Sequence, residues 1–206
     1  MCGRYRLTRA DKLANDFDAV CANDGDLTPR YNIAPTQLVP IVRMNGSTRV
    51  ISSIRWGLIP SWAKDASMGQ INARSETLCE KPAFRESVER HRCLIPADGF
   101  YEWRRSGTTK QPFHFGMKDG SLFAFAGIWD QWKPPEGTFV ESCAILTLRK
   151  PYKKIRSHFN KGGNTKSGEP ATQPCSWTLR NLTNSILMSG SSLTSTITRT
   201  FITSLF

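Results

Sequence analysis

The sequence predicts an α+β domain whose sheet is largely antiparallel. Many short runs rich in β-branched and aromatic residues predict strands, whereas only two segments show helical spacing of apolar residues. Strands and helices do not alternate along the chain, which argues against a parallel α/β sheet. Two turn dipeptides, Asn45-Gly46 and Asp119-Gly120, are typical of hairpins between antiparallel strands.

The first helical segment spans residues 8–21. Thr8 can cap its first turn together with Asp11, three positions further on. The apolar residues of this segment fall on one face: Leu13, Phe17 and Val20. A second, shorter helix is expected to begin at Pro82, because proline is favoured at the first helical position, and it has apolar side chains four residues apart.

Seven segments predict strands because they are rich in β-branched and aromatic residues. They are Leu38–Arg43, Ser47–Ile54, Arg92–Pro96, Phe100–Trp103, Phe113–Met117, Leu122–Ala126 and Val140–Thr147. Asn45-Gly46 would join the first two segments as a hairpin, and Asp119-Gly120 would join the fifth to the sixth.

Length and composition place the chain among globular proteins with a real core. It has 206 residues, of which 39% are hydrophobic and 22% are charged, enough for one domain or at most one and a half. No apolar run approaches the roughly 18 residues that a membrane-spanning helix needs, so we expect no membrane partner. The N-terminal segment lacks the apolar stretch of a signal peptide, which predicts a cytoplasmic protein, nucleoid-associated if the source is bacterial.

The six cysteines predict free thiols. They stand at positions 2, 21, 79, 93, 143 and 175, and no two of them form a C-x-x-C pair. This spacing argues against a zinc ribbon, and in a reducing compartment disulfides are not expected. We therefore expect neither a metal nor another cofactor, and we expect a monomer.

The positive charge is concentrated near the C-terminus. The formal net charge is +11; residues 1–148 contain 19 Lys and Arg against 16 Asp and Glu, whereas residues 149–206 contain 9 against 1. The second segment also contains 18 Ser and Thr and has weak periodicity. A basic excess favours a polyanionic partner, but most of this excess lies in the segment with the poorest folding signal. We therefore predict a folded domain over residues 1–148 and a divergent, poorly ordered tail over residues 149–206.

Cys2 has the most distinctive chemistry in the chain. Removal of Met1, which is common when the second residue is small, would leave a free α-amine beside a thiol on the same residue. Both groups titrate close to neutral pH. A 1,2-aminothiol condenses with an aldehyde to an imine and then closes a thiazolidine ring, and holding both nucleophiles on one residue favours the second step. An aldehyde is therefore the expected electrophile.

Five segments rich in glycine, arginine and aromatic residues follow one another along the chain. They are Met1–Tyr5, Arg30–Pro35, Arg55–Trp62, Ile71–Thr77 and Ala97–Trp103. In this order and spacing they resemble the SOS-response-associated peptidase (SRAP) family, from Met1 to about Thr147. The resemblance implies a barrel-like β-sheet core with a few flanking helices.

The resemblance also implies an activity. Proteins of this family bind single-stranded DNA and crosslink covalently to abasic sites through the N-terminal cysteine, which corresponds to Cys2. The opened abasic sugar is an aldehyde, in agreement with the aminothiol chemistry. Glu102 matches the catalytic glutamate, which can transfer protons during imine formation, and Asn72 matches the active-site asparagine. The family name records a peptidase-like removal of residues ahead of the cysteine, which would make that step self-processing.

Four further residues are implied in DNA binding by the family match and by their chemistry. Arg74 lies two residues after Asn72 in the same extended segment, so the two side chains should share a face. Arg74 and Arg4 are candidate phosphate ligands, because a guanidinium binds phosphate oxygens in a fork. Asn32 and Pro35 are expected to shape the floor of the same site.

Two tryptophans receive different interpretations. Trp62 matches a family aromatic that wedges against bases next to the lesion, and stacking on single-stranded bases is indifferent to sequence. Trp56 is expected in the hydrophobic core.

The family pattern fails near the C-terminus. Relatives complete the site with a histidine in an Ile-His-x-Arg-Met-Pro stretch that this chain lacks. His158 stands at the usual interval after Thr147 and is a candidate acid–base for opening the sugar ring, but Phe159-Asn160 follows it. His91 and His114 are expected to be structural. A frameshift near Thr147 would explain the missing motif and the altered composition together, and it requires an intact shifted reading frame.

Two other functions remain open at this point. The chain can be a single-stranded DNA-binding module whose tail is too altered for chemistry, which predicts salt-sensitive binding without an adduct. It can also be a cysteine peptidase acting on other proteins, although no Cys–His pair with peptidase spacing supports this.

Overall fold

The computed structural model describes residues 2–22 and 28–148, together with the backbone of 159–162, 173–174 and 176–178. Strands of this part of the chain are Arg4–Leu7 (β1), Val20–Cys21 (β2), Arg30–Ile33 (β3), Leu38–Asn45 (β4), Thr48–Trp56 (β5), Asn72–Arg74 (β6), Arg92–Ala97 (β7), Gly99–Ser106 (β8), Thr109–Met117 (β9), Phe123–Trp132 (β10), Val140–Leu148 (β11), Phe159–Gly162 (β12), Gln173–Pro174 (β13) and Ser176–Thr178 (β14). The α-helices are Leu13–Phe17 (α1) and Pro82–Arg90 (α2), and 3₁₀ turns cover Ala10–Lys12, Ala66–Met68 and Ser75–Thr77.

A closed barrel of five strands lies at the centre of the fold. Its antiparallel neighbours run in the order β5, β4, β7, β10 and β11, and β11 returns to pair with β5 in parallel. The short strand β6 also pairs with β11 in parallel, further along that strand. The predicted α+β fold with a largely antiparallel, barrel-like core and few helices is confirmed.

A second, antiparallel sheet packs against the barrel through β1. Its strand order is β12, β9, β8, β1 and β3. The ring of Tyr5, on β1, is fully buried and makes edge contacts with Trp56 and Phe125 of the barrel, at centroid distances of 5.3 and 5.8 Å. The predicted core position of Trp56 is confirmed, and its indole Nε1 donates to the Ile71 carbonyl at 2.9 Å. These contacts fix β1, and with it Cys2, against the barrel.

The predicted helix over residues 8–21 is wrong at both ends. Thr8 does not cap a helix, because its amide and hydroxyl donate to Asp98 instead. Helix α1 ends where Asp18 adopts a left-handed backbone conformation (φ 49°, ψ 57°). Val20 then enters strand β2, which pairs in parallel with β5, and its side chain is 55% exposed. The second predicted helix is confirmed as α2, beginning at Pro82.

The two predicted hairpins have different outcomes. β4 and β5 form the first, with Gly46 at φ 62° in the turn. Asp119-Gly120 does form a turn, but β9 and β10 enter different sheets, so the second predicted hairpin is wrong. Residues 123–128 of β10 are buried, and this strand needs β7 on one edge and β11 on the other to satisfy its backbone.

Asp98, between β7 and β8, ties the start of the chain to the barrel. Its carboxylate is 3% exposed. Oδ2 accepts hydrogen bonds from the Thr8 amide and hydroxyl, both at 2.6 Å, and from the Arg9 amide at 3.2 Å. Oδ1 lies 2.7 Å from Nε of Arg6. One buried carboxylate therefore holds the segment that follows β1.

Among the described residues, no helix combines the length and the apolar character that crossing a membrane requires.

The Asp98→Ala variant should lose about 3 kcal/mol of unfolding free energy, because it breaks a largely buried ion pair and leaves three donors without their acceptor. Urea denaturation measures this loss. Asp11 is exposed in the 3₁₀ turn nearby, so Asp11→Ala is a matched control that should change the free energy by less than about 0.5 kcal/mol. Equal losses in the two variants would contradict the assigned role.

Candidate active site around Cys2

The thiol of Cys2 lies in the protein interior. The residue is fully buried, and Sγ is 3.8 Å from the carbonyl oxygen of Arg4. Burial raises the pKa of the Cys2 thiol far above its usual value, and the negative charge of Glu102 raises this pKa further. The thiol is therefore held in its neutral form.

Asn72 fixes the backbone of Cys2. Its Nδ2 donates a hydrogen bond to the Cys2 carbonyl at 2.9 Å. The parallel pairing of β6 with β11 aligns Asn72 with Ile145 and so determines where this amide lies. The Oδ1 atom of Asn72 is buried and accepts no hydrogen bond from any described residue. A buried acceptor without a donor is available to a bound group.

Glu102 joins these two residues from the second sheet. It lies on β8 and is partly buried. Burial raises the pKa of the Glu102 carboxyl, and the positive charge of the amino terminus opposes this shift. A carboxyl with a raised pKa can both accept and return a proton near neutral pH. The structure thus places Asn72 of β6 and Glu102 of β8 next to Cys2, which precedes β1.

The candidate DNA-binding residues lie at or near the surface. Arg4 donates through Nη1 to Oδ1 of Asn32 at 3.0 Å, which joins β1 to β3. Pro35 follows β3 and is partly exposed. Arg74 is exposed, and it alternates along β6 with Ala73, which is fully buried, so Arg74 and Asn72 share the opposite face.

Trp62 lies in the connection between β5 and β6, and its side chain is 55% exposed. The backbone on either side of it is hydrogen-bonded to side chains of the barrel strands. Ser142 Oγ accepts from the Ile59 amide at 2.8 Å, and Oδ2 of Asp130 accepts from the Ser61 amide at 2.9 Å. The indole of Trp132 donates to the Ala63 carbonyl at 2.7 Å.

Sequence reasoning missed these three anchoring residues of the barrel. Ser142, Asp130 and Trp132 stand about 70 to 80 residues from the loop that they hold. A small separate core of Ile59, Ala63 and Trp132 supports the same loop. No local pattern indicates such partners. An aspartate in an otherwise apolar predicted strand would be the one available signal, because a buried carboxylate needs hydrogen-bond donors.

The structure describes two of the three histidines. His158 lies outside the described residues, so its role stays a prediction. His91 stacks on Trp129 at a centroid distance of 4.4 Å. His114 lies near Arg6, and burial together with that positive charge lowers the pKa of its imidazole. The part of the chain with described side chains holds no cluster of three potential metal ligands.

The fold and site together define a β-barrel protein built around a cysteine next to the amino terminus. The family model described as SOS response associated peptidase (SRAP) matches residues 1–158. The chain belongs to the SRAP family.

Relatives and solved structures agree with this assignment. The chain is 44% identical over 154 residues to the abasic site processing protein YoqW of Bacillus subtilis (strain 168), a match that covers 72% of this chain and 69% of the relative. It is 30% identical to the abasic site processing protein HMCES of Xenopus tropicalis, over 66% of this chain and 54% of that protein. A crystal structure of a protein from Bacteroides thetaiotaomicron superposes with a TM-score of 0.75 at 26% identity, covering 98% of this chain and 86% of the other.

The Asp130→Ala variant should loosen the loop around Trp62. The Ser61 amide loses a charged acceptor worth about 1.5–3 kcal/mol, so its hydrogen exchange should accelerate by roughly tenfold or more. Exchange followed by mass spectrometry or NMR measures this change. Asp65→Ala is the control, because Asp65 accepts hydrogen bonds from Ser67, further along the loop. Unchanged exchange at residues 60–63 would contradict the anchoring role of Asp130.

Proposed function

We propose that this chain is an abasic-site processing protein that binds single-stranded DNA and forms a covalent thiazolidine crosslink with the abasic sugar through Cys2. The observation that most strongly supports the proposal is the hydrogen bond from Asn72 to the Cys2 carbonyl, beside the carboxyl of Glu102. The names of the SRAP relatives support the substrate. A DNA-damage and repair role follows, including one in the SOS response.

The covalent chemistry balances with the loss of a single water. The α-amine of Cys2 adds to the aldehyde carbon of the opened sugar, and the resulting carbinolamine loses water to give an imine. Sγ then bonds to the imine carbon, and the thiol proton passes to the nitrogen to complete the ring. No metal, oxidant or other cofactor is required. The adduct has the summed mass of protein and oligonucleotide less one water.

Burial of the thiol sets the order of these steps. A neutral thiol is a weak nucleophile, so the amine attacks first and the thiol closes the ring afterwards. Glu102 would take a proton from the ammonium and return it to the departing hydroxyl. Asn72 holds the Cys2 backbone through Nδ2, and its free Oδ1 can accept a hydrogen bond from the amine or from a sugar hydroxyl.

The chemistry requires that Cys2 be the first residue of the mature chain. We propose that the peptide bond ahead of Cys2 is hydrolysed, either by an aminopeptidase or by the self-processing peptidase step for which the family is named. The protein would then combine hydrolase and lyase-type chemistry at one site.

The surface residues would hold the DNA non-covalently. Arg4 and Arg74 are the phosphate ligands in this proposal, and Asn32 and Pro35 shape the adjoining surface. Trp62 would stack on a base next to the lesion, an interaction worth about 1–3 kcal/mol for any base. Its rigid loop reduces the ordering cost of that contact.

The Cys2→Ala variant should form no stable crosslink with an abasic oligonucleotide but should retain much of the non-covalent binding. Intact-protein mass spectrometry, with and without the oligonucleotide, reports both the residues removed before Cys2 and the adduct mass. Cys21 and Cys79 are exposed thiols, so Cys21→Ala and Cys79→Ala are matched controls that should crosslink normally. A stable adduct on the Cys2→Ala variant would show that the aminothiol mechanism is wrong.

The Glu102→Gln variant should crosslink about 10²-fold or more slowly, since it keeps the shape of the side chain but removes the proton acceptor. Single-turnover gel assays give the rate. Non-covalent affinity for an oligonucleotide without a lesion should stay within about twofold of the wild-type value, because Glu102 is not a phosphate ligand. An unchanged rate would remove Glu102 from the mechanism. Salt-sensitive binding without any adduct in the wild-type protein would favour the alternative of a catalytically impaired binding module.

A further inference from the structure

We propose that the outer part of the β8–β9 hairpin, residues 103–112 and here called the hairpin tip, binds the sugar–phosphate backbone of the single strand that flanks the lesion. This inference deepens the proposed function and rests on it, since Glu102 stands at the base of the hairpin. It adds a surface to the predicted DNA-binding residues, and the surface extends away from the barrel.

The hairpin tip stands clear of the rest of the fold. All ten of its residues are exposed. β8 and β9 pair in regular register from Phe100 with Phe115 to Ser106 with Thr109. Gly107 adopts φ 59° in the two-residue connection, a conformation that favours glycine, and the Thr109 hydroxyl donates to the Ser106 carbonyl at 2.8 Å. The tip is therefore an ordered projection.

The charges of the hairpin tip are of one sign. The segment contains Arg104, Arg105 and Lys110 and no acidic residue. Arg105 lies directly opposite Lys110 across the two strands, and neither forms an ion pair with a described residue. Like charges in this position destabilise a sheet. Phosphates of a bound strand would neutralise both charges. The unfavourable pair is therefore explained if this surface binds DNA.

One face of the sheet joins the hairpin tip to Arg4, and Glu102 lies on the opposite face of the same strand. Residues directly opposite one another share a face, and faces alternate along a strand. Arg105 and Lys110 therefore share a face with Trp103 and Tyr101, and Tyr101 pairs with Arg4 of β1. Trp103 is 42% exposed and lies between Arg4 and the basic pair. A continuous row leads from the phosphate ligand Arg4 to the end of the hairpin.

The geometry predicts which part of the DNA the tip reaches. A strand rises about 3.3 Å per residue, so Arg105 lies roughly 10 Å beyond Glu102. The tip would therefore contact phosphates of the flank and not the abasic sugar itself. Such contacts are independent of base sequence, as a lesion-binding protein requires.

The test compares the Arg105→Ala/Lys110→Ala double variant with the parent protein, both in the Cys2→Ala background so that binding stays non-covalent. Two abasic oligonucleotides are used, one with a single nucleotide on each side of the lesion and one with flanks much longer than about 10 Å, the reach estimated from the strand rise. Fluorescence anisotropy at several salt concentrations gives affinity and salt dependence. With long flanks, the slope of log K against log salt should become shallower by about 0.7 for each phosphate that the variant no longer neutralises. With the short oligonucleotide the slope should not change.

A matched charge control is available. Arg90 and Lys118 are exposed and lie outside the hairpin tip, so Arg90→Ala/Lys118→Ala removes the same charge. The proposal is overturned if the hairpin variant keeps the parent slope with long flanks, shows an equal change with the short oligonucleotide, or behaves like this control. Failure of the crosslinking chemistry would leave these binding measurements intact, so the two failures are distinguishable.

A stability measurement separates binding from folding. The Lys110→Glu variant replaces a like-charge pair by an ion pair with Arg105, so its Tm should rise while its affinity for the long oligonucleotide falls. A decrease in both Tm and affinity would indicate a structural role for Lys110 and would overturn the proposal.

Discussion

The parallel pairing of β11 with two partners is the constraint on which the rest of the structure depends. Its first half pairs with the end of β5, and its second half pairs with β6. Both partners are parallel to the same strand and follow one another in sequence, so the chain between them, residues 57–71, must leave the barrel and return. Closure of the barrel thus creates the loop that bears Trp62 and also places Asn72 beside Cys2.

The interior and the surface of the site differ in their electrostatic environment. Inside, burial keeps the thiol of Cys2 neutral and raises the pKa of Glu102, which favours proton transfer over a permanent charge. At the surface, Arg4 is partly exposed and Arg74 is exposed. Under the proposed function, DNA would bind at this surface, while Cys2 and Glu102 would stay largely shielded from water.

Rigidity around the site comes from side chains that do not take part in the proposed chemistry. Asp98 fixes the segment after β1, and Asp130, Ser142 and Trp132 fix the loop around Trp62. Each uses a buried polar atom to satisfy a backbone group, an arrangement that also avoids unpaired donors in the interior. The exposed Trp62 and the buried Cys2 are thereby held in place by the fold.

The sequence by itself determined the fold class and the family, and it predicted Cys2, Asn72 and Glu102 as candidate site residues, because short motifs and hydrophobic patterns are local properties. Local signals also predicted the start of α2 at Pro82 and the turn at Gly46. Only the tertiary structure decided that Val20 joins a sheet, that β9 and β10 separate after Asp119-Gly120, and that Asp130 holds Ser61. These outcomes depend on partners that are far away in the chain. Barrel closure decides which segments become partners, through their packing and backbone pairing, and a short stretch of sequence carries no information on this.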